Sequence, residues 1–265
     1  MYLDAYRQYW RINVLTMLEY RANFLMWFGF TIVYHATAIA ALWVTLRTFP
    51  TMNGWDFKET AFMYGLWMLG HALHNTLFFT VGSVPEFIRE GRFDRFLVRP
   101  LDPLFQAITV PQQIWPDELI LAIVYFCVIT PYSGVHVDAL FLAFVPLVAI
   151  GGALIDFGIG LAIATASFWF IRIESLRWVI MSLEQDFSRY PISIYGRGVR
   201  LMLTFILPFA FMNYFPATFL LHKAETGLNL NPAVGLLTPV VGAVWVAVAY
   251  AFWRVGINRY QGTGS

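Results

Sequence analysis

The chain has 265 residues, 59% of them hydrophobic and 12% charged, with a formal net charge of +1 and a mean hydropathy of +0.63. That much apolar residue cannot be hidden in one soluble core of this size, so the composition implies an all-α, polytopic membrane protein, and the near-zero charge gives no reason to expect a nucleic acid partner. The lone cysteine, Cys127, lies in an apolar run and supports neither a disulfide framework nor a cysteine zinc site.

In chain order, residues 2–20 predict an interfacial helix. At helical spacing Tyr2, Leu3, Tyr6, Tyr9, Trp10, Val14 and Met17 fall on one side, with Asp4, Arg7, Gln8, Arg11 and Glu19 opposite. Aromatic bodies facing arginines suit the headgroup layer. The charges through this stretch also argue against a cleavable signal peptide. Charge-free runs then predict six transmembrane helices, at about 22–46, 60–82, 118–137, 139–171, 201–222 and 233–254. About 20 residues cross a hydrocarbon core of roughly 30 Å. The fourth run is interrupted only by Asp156 and reads as one long tilted span, because two spans and a turn need about 40 residues.

Between the second and third spans lies the most charged stretch of the chain, residues 82–105, GSVPEFIREGRFDRFLVRPLDPLF. Ser83 with Glu86 predicts a capping box, Pro85 suits the first helical turn and Gly91 suits a helix C-terminus. Arg99-Pro100 and Asp102-Pro103 follow as breakers. A second polar piece, 174–196, predicts a cytoplasmic segment that continues the fourth span as a helix and breaks at Tyr190-Pro191. Residues 224–232 form a short external turn. No soluble domain and no internal repeat is evident, and residues 262–265 are set aside.

Lys and Arg placement orients the six spans. With the N-terminus inside, fourteen of them are cytoplasmic: Arg7, Arg11, Arg21, Arg89, Arg92, Arg95, Arg99, Arg172, Arg177, Arg189, Arg197, Arg200, Arg254 and Arg259. Only Arg47, Lys58 and Lys223 fall outside. Fourteen against three predicts an N-in, C-in topology with the 82–105 stretch in the cytosol.

Catalytic signatures are missing. The chain has no GxxxxGK[ST] phosphate loop, no HExxH and no Gly-x-Ser-x-Gly. His71 and His74 sit three apart in the second span beside Asn75, a spacing able to put two imidazoles on one face, but no third metal ligand is near in sequence. These histidines, and His35 in the first span, read as hydrogen-bonded residues at helix interfaces. Asp156 is the sharper case, the one acidic residue well inside a span. A carboxylate in lipid costs at least about 2.5–3.5 kcal/mol, so it faces protein or water. Either it lines a translocation path, with His71 and His74, or it bonds across a helix interface. Gly151, Gly152, Gly158 and Gly160 around it permit close helix approach, and Pro208 and Pro216 predict a bent or broken helix in the fifth span.

The run EFIREGRFDRFLVRPLDPLF resembles the loop after the second span in permease subunits of ABC type-2 exporters, in a bacterial branch related to daunorubicin-resistance-type permeases. The later run ILPFAFMNYFPATFLL resembles that family's fifth span. The resemblance implies a multi-pass permease of a bacterial inner membrane that works by ATP-driven alternating access. It implies no cofactor in this chain, with ATP and Mg carried by two ATP-binding subunits, and a second permease, identical or related. It makes the loop 82–105 the element that couples to the ATPase. Glu86, Arg89, Arg92, Asp94 and Arg95 would then supply charge complementarity, and Phe87, Ile88, Phe93 and Phe96 would be anchors buried in the partner, on a loop contributing little to the permease's own fold. An ion-coupled secondary transporter using Asp156 and a non-transporting membrane scaffold are the alternatives. No residue discriminates among substrates.

Overall fold

The computed structural model describes residues 2–109, 116–170 and 173–260, and among these the only β-pairing is an isolated bridge between Met52 and Trp55. Arg172, counted above among the cytoplasmic charges, falls outside the described residues, as do the side chains of Tyr2 and Leu3. Helix α1 (Tyr2–Glu19) half-buries Tyr6, Tyr9, Trp10, Val14 and Met17 and exposes Arg7, Gln8, Arg11 and Glu19. Tyr20 separates it from α2 (Arg21–Thr48). Helix α3 (Phe57–Phe78) starts at a reciprocal cap, in which Glu59 N donates to Asp56 Oδ1 at 2.8 Å and Asp56 N to Glu59 Oε2 at 2.9 Å. Residues 60–72 of α3 are buried all round, as expected of a helix apolar on every face that stands at the centre of a bundle.

The 82–105 stretch holds α4 (Val84–Arg89) and α5 (Asp94–Leu97), and α6 (Pro103–Thr109) follows. Pro85 occupies the first turn of α4, and Gly91, at φ +67°, takes the left-handed position just past its end. The expected capping box is not formed. Ser83 is itself helical and its side chain makes no cap bond, because a 3₁₀ turn (Phe79–Ser83) runs straight into α4 from α3. The cap is instead at Asp102, whose Oδ1 accepts from Phe105 N at 3.0 Å.

Helices α7 (Asp117–Ile129) and α8 (Ala139–Ala166) flank α3 on two sides. Tyr125 donates to Ala61 O at 2.9 Å and Asn75 to Glu118 at 2.7 Å, so α7 runs antiparallel to α3. Gly152 of α8 meets Gly70 of α3 backbone to backbone, and these two helices run parallel.

Helix α9 (Glu174–Ser188) overturns one expectation. Residues 174–196 do not stay at one end of the bundle. At the start of α9, Arg177 donates to Gly82 O at 2.8 Å and Glu174 pairs with Arg89 at 2.5 Å, both at the end that carries the charged loop. Beyond it, Asn53 of the α2–α3 turn donates to Ser193 O at 3.3 Å, at the opposite end. Helix α9 therefore traverses the bundle. Its exposed side chains include Leu176, Trp178 and Val179, while Glu184 and Ser188 are buried. Glu174, Ser175, Ser182 and Asp186 are exposed beside them, so the outer face of α9 is mixed while its buried face holds a carboxylate.

The expected fifth span at 201–222 is corrected as well. Helix α10 (Arg197–Leu201) widens into a π turn (Met202–Ile206), the chain breaks at Leu207-Pro208, and α11 (Tyr214–Leu220) follows, with a bend of 76° across the break. Proline has no N–H to continue the ladder and disfavours helical backbone in the residue before it; Leu207 is extended. Both ends of this bent pair lie at the Asn53 end. Arg200 donates to Gly227 O, and Lys223 donates to Gly54 O at 2.8 Å and pairs with Glu59 at 2.6 Å. Arg197 and Arg200, and Arg189 at the far end of α9, therefore leave the set of charges at the loop end, and the asymmetry narrows without changing sign.

Helix α12 (Thr238–Arg259) closes the bundle against α8, in parallel, with Gly151 against Thr238 and Pro239, Gly158 against Trp245, and Gly256 against Thr165 and Phe168. The chain thus enters and leaves at the loop end. By length and composition three helical stretches among the described residues, Arg21–Thr48, Ala139–Ala166 and Pro232–Arg259, are long and apolar enough to cross a membrane, and a fourth if the bent pair is counted.

Candidate functional site

Midway along the bundle three helices deliver polar side chains to one point. His71 of α3 places Nδ1 3.0 Å from Asp156 Oδ2 of α8 and 2.9 Å from Glu184 Oε1 of α9. Trp67, one turn before His71, donates from Nε1 to the same Glu184 oxygen at 2.8 Å and stacks on the imidazole at 4.8 Å, with 21° between the planes. All four residues are buried. The donor atoms of His71, Asp156 and Glu184 lie within 4.8 Å of one another.

These groups line a cavity of about 70 Å³, together with His74, Arg177 and Gly82. Two of its polar atoms, Asp156 Oδ1 and His74 Nδ1, are buried without a hydrogen-bond partner. The structure thus brings Asp156 and His71 together, and leaves His74 on the same cavity but outside the cluster. Arg177 closes the cavity toward the loop end by reaching Gly82 O.

A second polar layer lies beside the first. Glu118 accepts from Asn75 at 2.7 Å and lies 3.3 Å from His35 Nε2, while His35 Nδ1 meets Tyr64 OH at 2.8 Å. Asp117 accepts from Thr31 at 2.6 Å. His35 is thus a hydrogen-bonded residue at a helix interface.

The loop 82–105 splits into two sets. Phe87, Ile88, Phe93 and Phe96 are buried in the chain's own core with Val84, Leu161 and Trp253. Phe93 is fully enclosed, edge-on to Phe96, Phe168, Trp253 and Tyr260. The expectation that these four wait to be buried by a partner, on a loop marginal to the fold, is therefore wrong: they are already spent on α8 and α12. Exposed are Glu86, Arg89, Arg92, Asp94 and Arg95, with Leu97 and Val98 at the tip. Arg92 lies over the Phe87 ring at 4.8 Å and pairs with Glu90 at 2.6 Å. Gln106 of α6, wholly buried, donates to Phe96 O at 2.9 Å and Leu101 O at 2.8 Å and so ties the loop shut. Tyr260 donates to Asp94 at 2.8 Å. Burial first, and then that bond, push its phenol up to about 12, so it remains a donor at any physiological pH.

Glu184, Trp67, Glu118 and Gln106 went unrecognised as site residues in the sequence. Glu184 carried a usable signal, since it falls on the same helical face as Ile180, Leu183 and Phe187, which pack on the core.

Long apolar helices around a buried acid–imidazole centre, with a charged platform packed across one end, are the architecture of an integral membrane protein. The sequence matches the ABC-2 family transporter proteins over residues 32–264, which takes in the later part of α2 and every element after it, and the chain belongs to that family as an ABC type-2 permease. No curated protein and no solved structure matches it.

Proposed function

We propose that this permease forms half of the pathway of an ATP-driven exporter. A second permease, identical or related, would form the other half, and two ATP-binding subunits would act on the loop 82–105. ATP and Mg belong to those subunits, and this chain hydrolyses nothing itself. Six crossings fit the contacts if they are α2, α3, α7, α8, α9 and α12, with the bent pair re-entrant from the outer side. The excess of Lys and Arg at the loop end supports placing that end, and both termini, in the cytosol of a bacterial inner membrane.

The observation that carries the reading is the division of the loop. Its aromatic face is fastened to α8 and α12, and its charged face points away from the bundle. A platform rigid on one side and charged on the other can pass a push from a docked partner into the helices that hold Asp156. Closure of the ATP-binding subunits would move this platform and, through the Arg177–Gly82 contact, α9 with Glu184.

The test uses exposed residues that the fold does not need. In Arg92→Glu with Arg95→Glu, only exposed contacts are lost, chiefly the Arg92–Glu90 pair and the Arg92–Phe87 stacking, each contributing about 0–1 kcal/mol. Yield and thermal midpoint should stay as in wild type. Recovery of the ATP-binding subunit in co-purification should fall at least tenfold, since reversed charge at an interface opposes association. Equal recovery and equal transport-coupled ATP hydrolysis would sink the docking role. Proton-gradient-driven transport without ATP would instead favour an ion-coupled carrier using Asp156.

A further inference from the structure

The cluster of His71, Asp156 and Glu184 is poorly satisfied by its own hydrogen bonds. His71 Nδ1 faces two carboxylate oxygens, at 3.0 and 2.9 Å, yet carries at most one proton. Asp156 is only 6% exposed, lines the cavity, and still has an oxygen with no partner. With both carboxylates ionised, one imidazolium leaves the cluster with net negative charge, and no cation among the described residues pairs with it. The nearest cation, Arg177, lines the same cavity but is turned onto Gly82 O. Glu118, the next acid, is already engaged by Asn75 and His35.

We propose that His71 Nδ1, Asp156 and Glu184 form a binding site for one divalent transition-metal ion, zinc in the first instance, with water from the adjoining cavity as a further ligand. Imidazole nitrogen and carboxylate oxygen are both zinc ligands, and three protein ligands from three helices leave the fourth position open for water. Metal–ligand distances of about 2.0–2.2 Å in tetrahedral geometry put ligand atoms roughly 3.4 Å apart. The two separations from His71 Nδ1, 3.0 and 2.9 Å, need to open by only about half an ångström to meet that, and the two carboxylates lie within 4.8 Å of each other. A divalent charge offsets both carboxylates, which a single shared proton does not. The orphaned Asp156 oxygen gains a partner in the ion or its water, and the cavity, at about 70 Å³, has room for that water. The imidazole and Glu184 are held in place before any ion arrives, by the stacked Trp67 ring and its indole N–H. Such outer contacts orient ligands and raise affinity.

The proposal stands apart from the transport reading, because metal retention is read on the permease alone. Full-length protein, tag removed, is stripped with chelator in detergent, titrated with zinc chloride, desalted and counted by mass spectrometry. One zinc per chain is expected in wild type. Asp156→Asn and Glu184→Gln should each lose it or weaken it at least tenfold, and His136→Ala and His222→Ala should keep it. Substoichiometric zinc in wild type, or full retention in folded Asp156→Asn, overturns the site. Should Asp156→Asn fail to fold, Glu184→His preserves the ligand number. Copper(II) bound to wild type should show hyperfine structure from one imidazole nitrogen, and in Glu184→His from two. The same spectrum in both proteins refutes the assignment.

Discussion

Phe93 shows how much one residue's meaning depends on which surface buries it. Its ring is fully enclosed by four aromatic neighbours from its own chain. Phe93→Ala removes a large side chain from a packed interior and should cost about 3–5 kcal/mol. The expected result is a clear fall in the thermal midpoint of the detergent-solubilised permease, with faster proteolysis within 82–105. An unchanged midpoint would mean that the aromatic cluster does not hold the loop. The sequence marked Phe93 as an anchor for a partner's surface, whereas the ring packs on its own chain. An aromatic residue flanked by arginines reads the same whether it docks inward or outward, and the deciding partners, Phe168, Trp253 and Tyr260, are 75 or more positions away. Asp156 was legible because a carboxylate in a charge-free run needs a partner. Glu184 was not, because the neighbouring Arg177, Asp186 and Arg189 gave its segment the look of a solvated helix.

At the scale of elements, the α8–α12 contact depends on absent side chains. A Cβ on Gly242 would sit 2.6 Å from Gly151 O, and one on Gly151 would sit 2.8 Å from the backbone of Thr238 and Pro239. Backbone cannot retreat as a flexible side-chain tip can, so the helices must separate. Gly151→Ala and Gly242→Ala should each destabilise by about 1–3 kcal/mol, the usual cost of overpacking. Gly160→Ala meets only Val81 Cγ1, at 3.3 Å, and should be close to neutral. Thermal unfolding of the three variants side by side checks this, and equal midpoints would refute the close-contact account. The glycines around Asp156 were readable as close-approach positions before their partners were known. The helices α2, α3, α8 and α12 were equally readable, since long uncharged runs have few other solutions. The break at Pro208 and the helix ending before Pro191 were readable too, but not the course of either element, because a charge-free run reports apolarity and not direction. A re-entrant hairpin and a straight span look alike until contacts show that both ends lie on one side.

Those two elements decide the architecture of the whole molecule. If 201–222 were a single span and 174–196 a cytoplasmic segment, Gly198 would lie beside the charged loop. In the structure the α10 end of the bent pair is tied through Arg200 to Gly227, whose neighbour Thr226 accepts from Asn53. Gly198 is exposed there, with open space where a Cβ would go. Cysteine scanning separates the two arrangements without disturbing packing, because Asn53 and Glu90 are exposed as well. The native Cys127, exposed on α7, is first replaced by serine. With a membrane-impermeant maleimide on intact cells, Asn53→Cys and Gly198→Cys should both label, and Glu90→Cys should label only after permeabilisation. If Gly198→Cys, like Glu90→Cys, labels only after permeabilisation, the straight fifth span is restored and α9 is removed as a crossing. It would also take Glu184 out of the bundle and away from His71 and Asp156. Labelling of Glu90→Cys alone on intact cells would invert the molecule and put the charged loop beyond the reach of any cytosolic ATPase. The buried acid–imidazole centre and the charged platform therefore turn on one topological point that this labelling decides, whether the chain crosses on α9 and turns back through α10 and α11.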